Sequence, residues 1–124
     1  MKLRLRENSI RLRLLRSEIE QLRQSGTVSE KIQFTERQTL TYTLKTSAVE
    51  EISSRYENEE IVIEIPLGQA REWTTTDLVG LKNKQAINGN STLEITLEKD
   101  FVCAGRPFDA DNRDAFARPS KQNC

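Results

Sequence analysis

Histidine is absent from this 124-residue chain. That removes the usual general base, the commonest zinc ligand and every triad built on imidazole. Carboxylates, lysine or a metal held by oxygens are the routes left to catalysis. The expectation is a protein with no catalytic residue, no metal site and no cofactor. Cysteine is scarce as well: Cys103 and Cys124 are the two, both late in the chain. A disulfide framework is not expected, and two free thiols in a reducing compartment are the plainer reading. No apolar run is long enough to span a membrane. The opening Met1-Lys2-Leu3-Arg4-Leu5-Arg6 alternates charged and apolar residues and has no hydrophobic signal core. A cytoplasmic location, away from membranes, is the expectation.

Net charge is also lacking, with nineteen basic and nineteen acidic residues. The balance hides an asymmetry. Residues 1–46 carry ten Lys or Arg and five Glu, residues 47–99 carry five and ten, and residues 100–124 carry four and four. A basic half suggests an anionic partner, or the acidic half itself.

What is present is an echo. Thr39-Leu40-Thr41-Tyr42-Thr43-Leu44-Lys45 resembles Thr92-Leu93-Glu94-Ile95-Thr96-Leu97-Glu98-Lys99. Upstream, Glu7-Asn8-Ser9-Ile10-Arg11-Leu12-Arg13-Leu14 resembles Glu57-Asn58-Glu59-Glu60-Ile61-Val62-Ile63-Glu64-Ile65 at nearly the same offset. A fixed period points to a duplicated unit.

Period-two alternation predicts strands over Lys2–Arg6 and Ile10–Leu14, turned by Glu7-Asn8-Ser9. Ser17 and Glu20 have the spacing of a capping box, Gly26 can stop a helix, and a short helix over 17–25 follows. Val28–Phe34 and Thr39–Lys45 read as strands. The second half repeats the order. Ile52–Tyr56 and Ile61–Ile65 are strands, Pro66 opens a helix with Leu67, Ala70, Arg71 and Trp73 on its apolar side, and Leu78–Ile87 and Thr92–Lys99 close the unit around Asn88-Gly89.

These residues resemble the AbrB- and MazE-type swapped-hairpin domains of bacterial transition-state regulators and antitoxins. Glu7-Asn8-Ser9 with Arg11-Leu12-Arg13-Leu14 is similar to that family's Gly-Asn-Ser turn and following strand. Ile65-Pro66 is similar to its helix opening, Asp77-Leu78-Val79 to the start of its next strand, and Asn88-Gly89 to its last turn. Leu14-Leu15 stands where the first copy should have proline, and Glu7 where it should have glycine. The whole chain, including Glu98-Lys99-Asp100-Phe101 and the Asp-rich Phe-Pro tail, also resembles a small family of uncharacterised bacterial proteins, which implies no activity.

The resemblance implies an α+β fold, mostly antiparallel. Two tandem strand-strand-helix-strand-strand units (1–46 and 47–99) would form one pseudo-two-fold swapped-hairpin barrel, followed by a polar, partly flexible tail over 100–124. A single-copy relative needs a dimer to close that barrel, so a duplicated chain is expected to be a monomer. The expected core is Leu3, Leu5, Leu12, Leu14, Ile32, Phe34, Leu40, Tyr42, Leu44, Ile61, Ile63, Ile65, Val79, Leu93, Ile95 and Leu97.

The candidate site is the arginine ladder Arg4, Arg6, Arg11 and Arg13, with Arg16 and Lys2. Guanidinium groups on neighbouring strands could present a planar array to phosphates. The resemblance points the same way, to DNA near the first hairpin and helix, with another protein as the alternative partner. The competing reading is a cross-strand ion-pair ladder with Glu60, Glu64, Glu94 or Glu98, each pair contributing roughly 0.2–1 kcal/mol. A third reading is a triphosphate-processing tunnel enzyme, with arginines on phosphate and Glu64, Glu94 and Glu98 on magnesium; its Glu-x-Glu-x-Lys strand is absent. Asp109, Asp111 and Asp114 near Cys103 lack the calcium-loop spacing.

Overall fold

The computed structural model describes residues 1–101 and 113–117. Ten elements follow in order: β1 (Lys2–Arg6), β2 (Ser9–Leu14), α1 (Arg16–Ser25), β3 (Thr27–Gln33), β4 (Thr39–Ser47), β5 (Ser53–Glu57), β6 (Glu60–Pro66), α2 (Leu67–Thr75), β7 (Gly80–Ala86) and β8 (Thr92–Lys99). They form two four-stranded sheets, ordered β1-β2-β8-β7 and β3-β4-β6-β5. Each half of the chain therefore gives one hairpin to each sheet.

The hairpins are antiparallel, but the central pairs are parallel: β2 with β8, and β4 with β6. The registers correspond. Ser9 lies beside Glu94 and Leu12 beside Leu97; Glu60 lies beside Thr41 and Ile63 beside Leu44. The expected closed antiparallel barrel is corrected to two mixed sheets. Among the described residues no backbone ladder joins β1 to β3 or β5 to β7. Side chains join those edges instead. Gln85 acts as a stand-in peptide, accepting from the Ser54 N–H at 2.6 Å and donating to the Ser54 carbonyl at 3.1 Å, while Asn83 donates to the Ile52 carbonyl at 2.7 Å.

Alternation puts the apolar sides of both sheets face to face. Leu12, Leu14, Tyr42, Leu44, Ile63, Ile65, Ile95 and Leu97 are buried as expected. Burying such a side chain contributes roughly 1.5–3 kcal/mol. Leu5, Ile32, Phe34 and Val79 are corrected to exposed positions. The first three stand at the turn ends of edge strands, where no neighbouring strand covers them. Trp73, Ile19, Leu22, Val28 and Ile52 take part in the core instead. Trp73 is fully buried, and its indole N–H donates to the Val79 carbonyl at 3.1 Å.

The helix caps differ from the Ser17–Glu20 box. Leu15 precedes α1, and its N–H donates to Glu18 Oε1 at 2.9 Å. The next two amides are capped from far along the chain. Arg16 N–H donates to the Asp114 carbonyl at 2.9 Å, and Ser17 N–H to the Asp114 carboxylate at 3.1 Å. The segment holding Asp114 is itself tied down: Phe116 N–H donates to the Asp100 carbonyl at 2.7 Å, and Asp100 N–H to the Leu14 carbonyl at 2.9 Å. Pro66 precedes α2, which opens without a side-chain cap hydrogen bond. Gly26 ends α1 at φ 79°, as expected of a left-handed stop. The Asn88-Gly89 turn is corrected: the loop spans Ile87–Ser91, with Ile87 N–H on the Ser91 carbonyl at 3.0 Å and Asn88 Oδ1 accepting from Asn90 and Ser91. The expectations on Cys103, Asp109, Asp111 and Cys124, and on the looseness of the chain end, lie outside the described residues.

Two stability predictions follow from these turns and caps. Glu7 holds φ at 50°, where an L side chain is strained and glycine is not. Glu7→Gly should raise the chemical-denaturation stability by roughly 0.5–1 kcal/mol; a decrease would contradict the turn geometry. Asp114→Ala should lower it by about 1 kcal/mol, the usual cost of an N-cap. No change would mean that the strap does not cap α1.

Candidate anion-binding face

The outward sides of β1, β2, β8 and β7 form a grid set by strand register. Its rows are Lys2–Arg13–Glu98–Gly80, Arg4–Arg11–Thr96–Lys82 and Arg6–Ser9–Glu94–Lys84. Residues two apart along a strand are spaced by about 6.6 Å, and adjacent strands by about 4.8 Å. Seven cations (Lys2, Arg4, Arg6, Arg11, Arg13, Lys82, Lys84) thus face two carboxylates (Glu94, Glu98). The outward side of the other sheet is balanced, with Lys31, Lys45 and Arg55 against Glu57, Glu60 and Glu64.

Four of the expected site residues share this grid: Arg4, Arg6, Arg11 and Arg13. Arg16 does not; it opens α1, beyond the end of β2. Lys82 and Lys84 are not among the expected residues. Their alternation with Leu81, Asn83 and Gln85 marks an outward face, but nothing local shows that β7 lies in the same sheet as β1.

Part of the ladder is ion-paired. Arg13 Nε donates to Glu98 Oε1 at 2.6 Å, and Arg11 Nε stands 3.7 Å from the same atom. Lys2 Nζ lies 2.9 Å from the buried Asp100 carboxylate. Arg4, Arg6, Lys82 and Lys84 are exposed and have no ion-pair partner among the described residues. Arg4, Arg6, Ser9 and Arg11 line a shallow depression of about 180 Å³. The Ser9 hydroxyl donates to the Arg6 carbonyl at 2.6 Å, which fixes the turn beneath it.

The carboxylates of the tunnel-enzyme reading do not converge. Glu94 and Glu98 lie on the basic sheet, Glu64 on the other. Glu64 is engaged by the Ser47 hydroxyl at 2.9 Å and by Arg55 at 3.4 Å. Among the described residues no group of three potential metal ligands comes together. No helix among them is long and apolar enough to cross a membrane.

A second charged cluster joins β1 to β3. The Met1 ammonium is buried between the carboxylates of Glu18 and Glu30. Tyr42 Oη lies 3.0 Å from both Glu30 Oε2 and the Met1 carbonyl. Burial pulls the ammonium's pKa down, but hydrogen bonds and charge from the two glutamates outweigh it, and the value is raised above 8.0. Burial raises the Glu18 pKa. For Glu30 burial acts the same way but is outweighed by hydrogen bonds from the ammonium, Glu18 and Tyr42, so its pKa is lowered. This cluster is saturated by its own partners and reads as structure.

The comparison with known families covers nearly the whole chain: residues 1–120 match a family of unknown function, DUF7009. The chain belongs to that family. No curated protein and no solved structure matches it. For this DUF7009 member the chemistry of the site therefore rests on its own geometry.

The tyrosine in the saturated cluster supplies a pH test. Burial and then the Glu30 hydrogen bond push the Tyr42 pKa up to about 12 from 10.0. The folded state favours the protonated phenol, so its contribution is complete below pH 10.0 and falls away as pH rises toward about 12. Urea midpoints should drop across that window, and Tyr42→Phe should flatten the drop. An equal drop in both proteins would show that Tyr42 does not carry it.

Proposed function

We propose that this protein binds the phosphate backbone of DNA through the outer face of the β1-β2-β8-β7 sheet, in a non-enzymatic and regulatory manner. The observation that carries the reading is the concentration of seven cations against two carboxylates on one sheet face of a chain with zero net charge. Two of those cations, Arg4 and Arg6, stand free of ion pairs among the described residues beside the Ser9 depression. Phosphate contacts need such local cations, whatever the overall charge.

The same reading takes the chain as a tandem duplication of an AbrB-like unit, spanning 1–46 and 47–99. Its support is the shared path of the two halves. Each runs strand, strand, helix, strand, strand, and each sends one hairpin to each sheet with matching parallel registers. On this reading the first copy keeps the cations and the second supplies Lys82 and Lys84 across the shared sheet.

The test is fluorescence anisotropy with labelled duplex DNA across a salt series. Binding should weaken steeply between about 50 and 200 mM salt. Arg4→Gln/Arg6→Gln should keep the fold, because both side chains are exposed and have no ion pair among the described residues. It should also lower the slope of log affinity against log salt by roughly 0.9 for each phosphate that the two arginines no longer neutralise. No binding at the lowest salt, or a slope that ignores the double substitution, would end the proposal.

A further inference from the structure

The helices close one end of the two-sheet sandwich; at the other, turn-bearing end the sheets part. The opening is a groove of about 540 Å³ lined by Leu5, Ile10, Leu40, Tyr56, Ile61 and Leu93, with Ser54, Arg55 and Gln85 on one side. Leu5 is 60% exposed and Tyr56 70%, and Phe34 and Ile87, in the adjoining β3–β4 and β7–β8 turns, are 66% and 55% exposed. Large apolar side chains scattered singly need no explanation, but this cluster holds most of those the described surface shows.

The two lips of the groove differ in charge. Near the opening, the β1-β2-β8-β7 sheet presents Arg4, Arg6, Arg11, Lys82 and Lys84 with Glu7 and Glu94. The facing lip presents Lys31, Arg55, Glu57 and Glu60 on its strands, with Arg55 and Glu57 paired, and Glu36, Arg37 and Glu59 in its turns. One lip is thus +3 and the other −1, each the difference of the residues just named.

We infer that a second copy of this chain docks end to end on this groove, in an isologous dimer whose two-fold axis lies along the groove. That axis sets the basic lip of each copy on the acidic lip of the other. An axis across the groove would set like charge on like, so the electrostatics select one arrangement. The groove linings Leu5 and Tyr56 then meet at the centre, with Phe34 and Ile87 of the adjoining turns beside them and charge at the rim, the usual anatomy of a specific interface. Zero net charge leaves no long-range repulsion between copies. The cations at its rim belong to the outward grid, so docking and phosphate binding draw on the same side chains.

Sedimentation equilibrium of the full chain, from low micromolar to millimolar concentration, tests this. A monomer–dimer equilibrium is expected, and Leu5→Glu or Tyr56→Glu should weaken it at least tenfold with circular dichroism unchanged. Arg4→Glu/Arg6→Glu and Glu57→Arg/Glu59→Arg should each abolish it alone, and an equimolar mixture of the two should restore it as a heterodimer. A monomer throughout, a dimer indifferent to Leu5→Glu, no rescue on mixing, or open-ended oligomers would each overturn the inference.

Discussion

The parallel pairing of β2 with β8, and of β4 with β6, is the constraint on which the rest of the structure depends. It brings the first hairpin beside the last and the second beside the third. Most of the fully buried side chains lie on these four central strands, among them Leu12, Leu14, Leu44, Ile63, Ile65, Ile95 and Leu97. A half-chain alone would have a hairpin for each sheet and no partner for either. Each helix carries the chain from one sheet to the other, α1 from β2 to β3 and α2 from β6 to β7, while β4 reaches its parallel neighbour β6 by way of β5. The helices then cover the end of the core where Trp73, Ile19 and Leu22 sit.

The sandwich leaves four strand edges, and each is managed by polar chemistry. Gln85 and Asn83 extend hydrogen bonds from β7 to the backbone around β5. The Met1 ammonium, Glu18, Glu30 and Tyr42 join β1 to β3 by charge. These links hold the sheets at a distance where a backbone ladder does not form. The molecule is thus two sheets bridged by side chains, in place of the expected closed barrel. The cations crowded on one sheet and the apolar groove between the lips are both consequences of that arrangement.

Much of the local structure is legible in the sequence. Alternation in Lys2–Arg6, Ser9–Leu14 and Glu60–Pro66 gives strands, and Gly26 and Pro66 mark a helix end and a helix start. Half of the expected core is buried, chiefly on the central strands. Leu5, Ile32 and Phe34 share the alternation of buried residues yet lie exposed, because alternation reports which face a residue takes and not whether another strand covers it. Trp73, on the apolar side expected of its helix, is fully buried, and Ile19 and Leu22 of α1 are buried with it. The cap of α1 escapes local reading because its acceptor, Asp114, is nearly a hundred residues away, where spacing rules have no reach.

By itself the sequence determined the alternation of faces, the order of elements and the sign of each outward residue, because these depend on neighbours within a few positions. Which strand lies beside which was decided only in the tertiary structure, because pairing is a competition among distant segments for the same buried surface. That decision moved Lys82 and Lys84 onto the arginine face and left Glu64 on the opposite sheet. The balanced chain thereby acquired one strongly basic side.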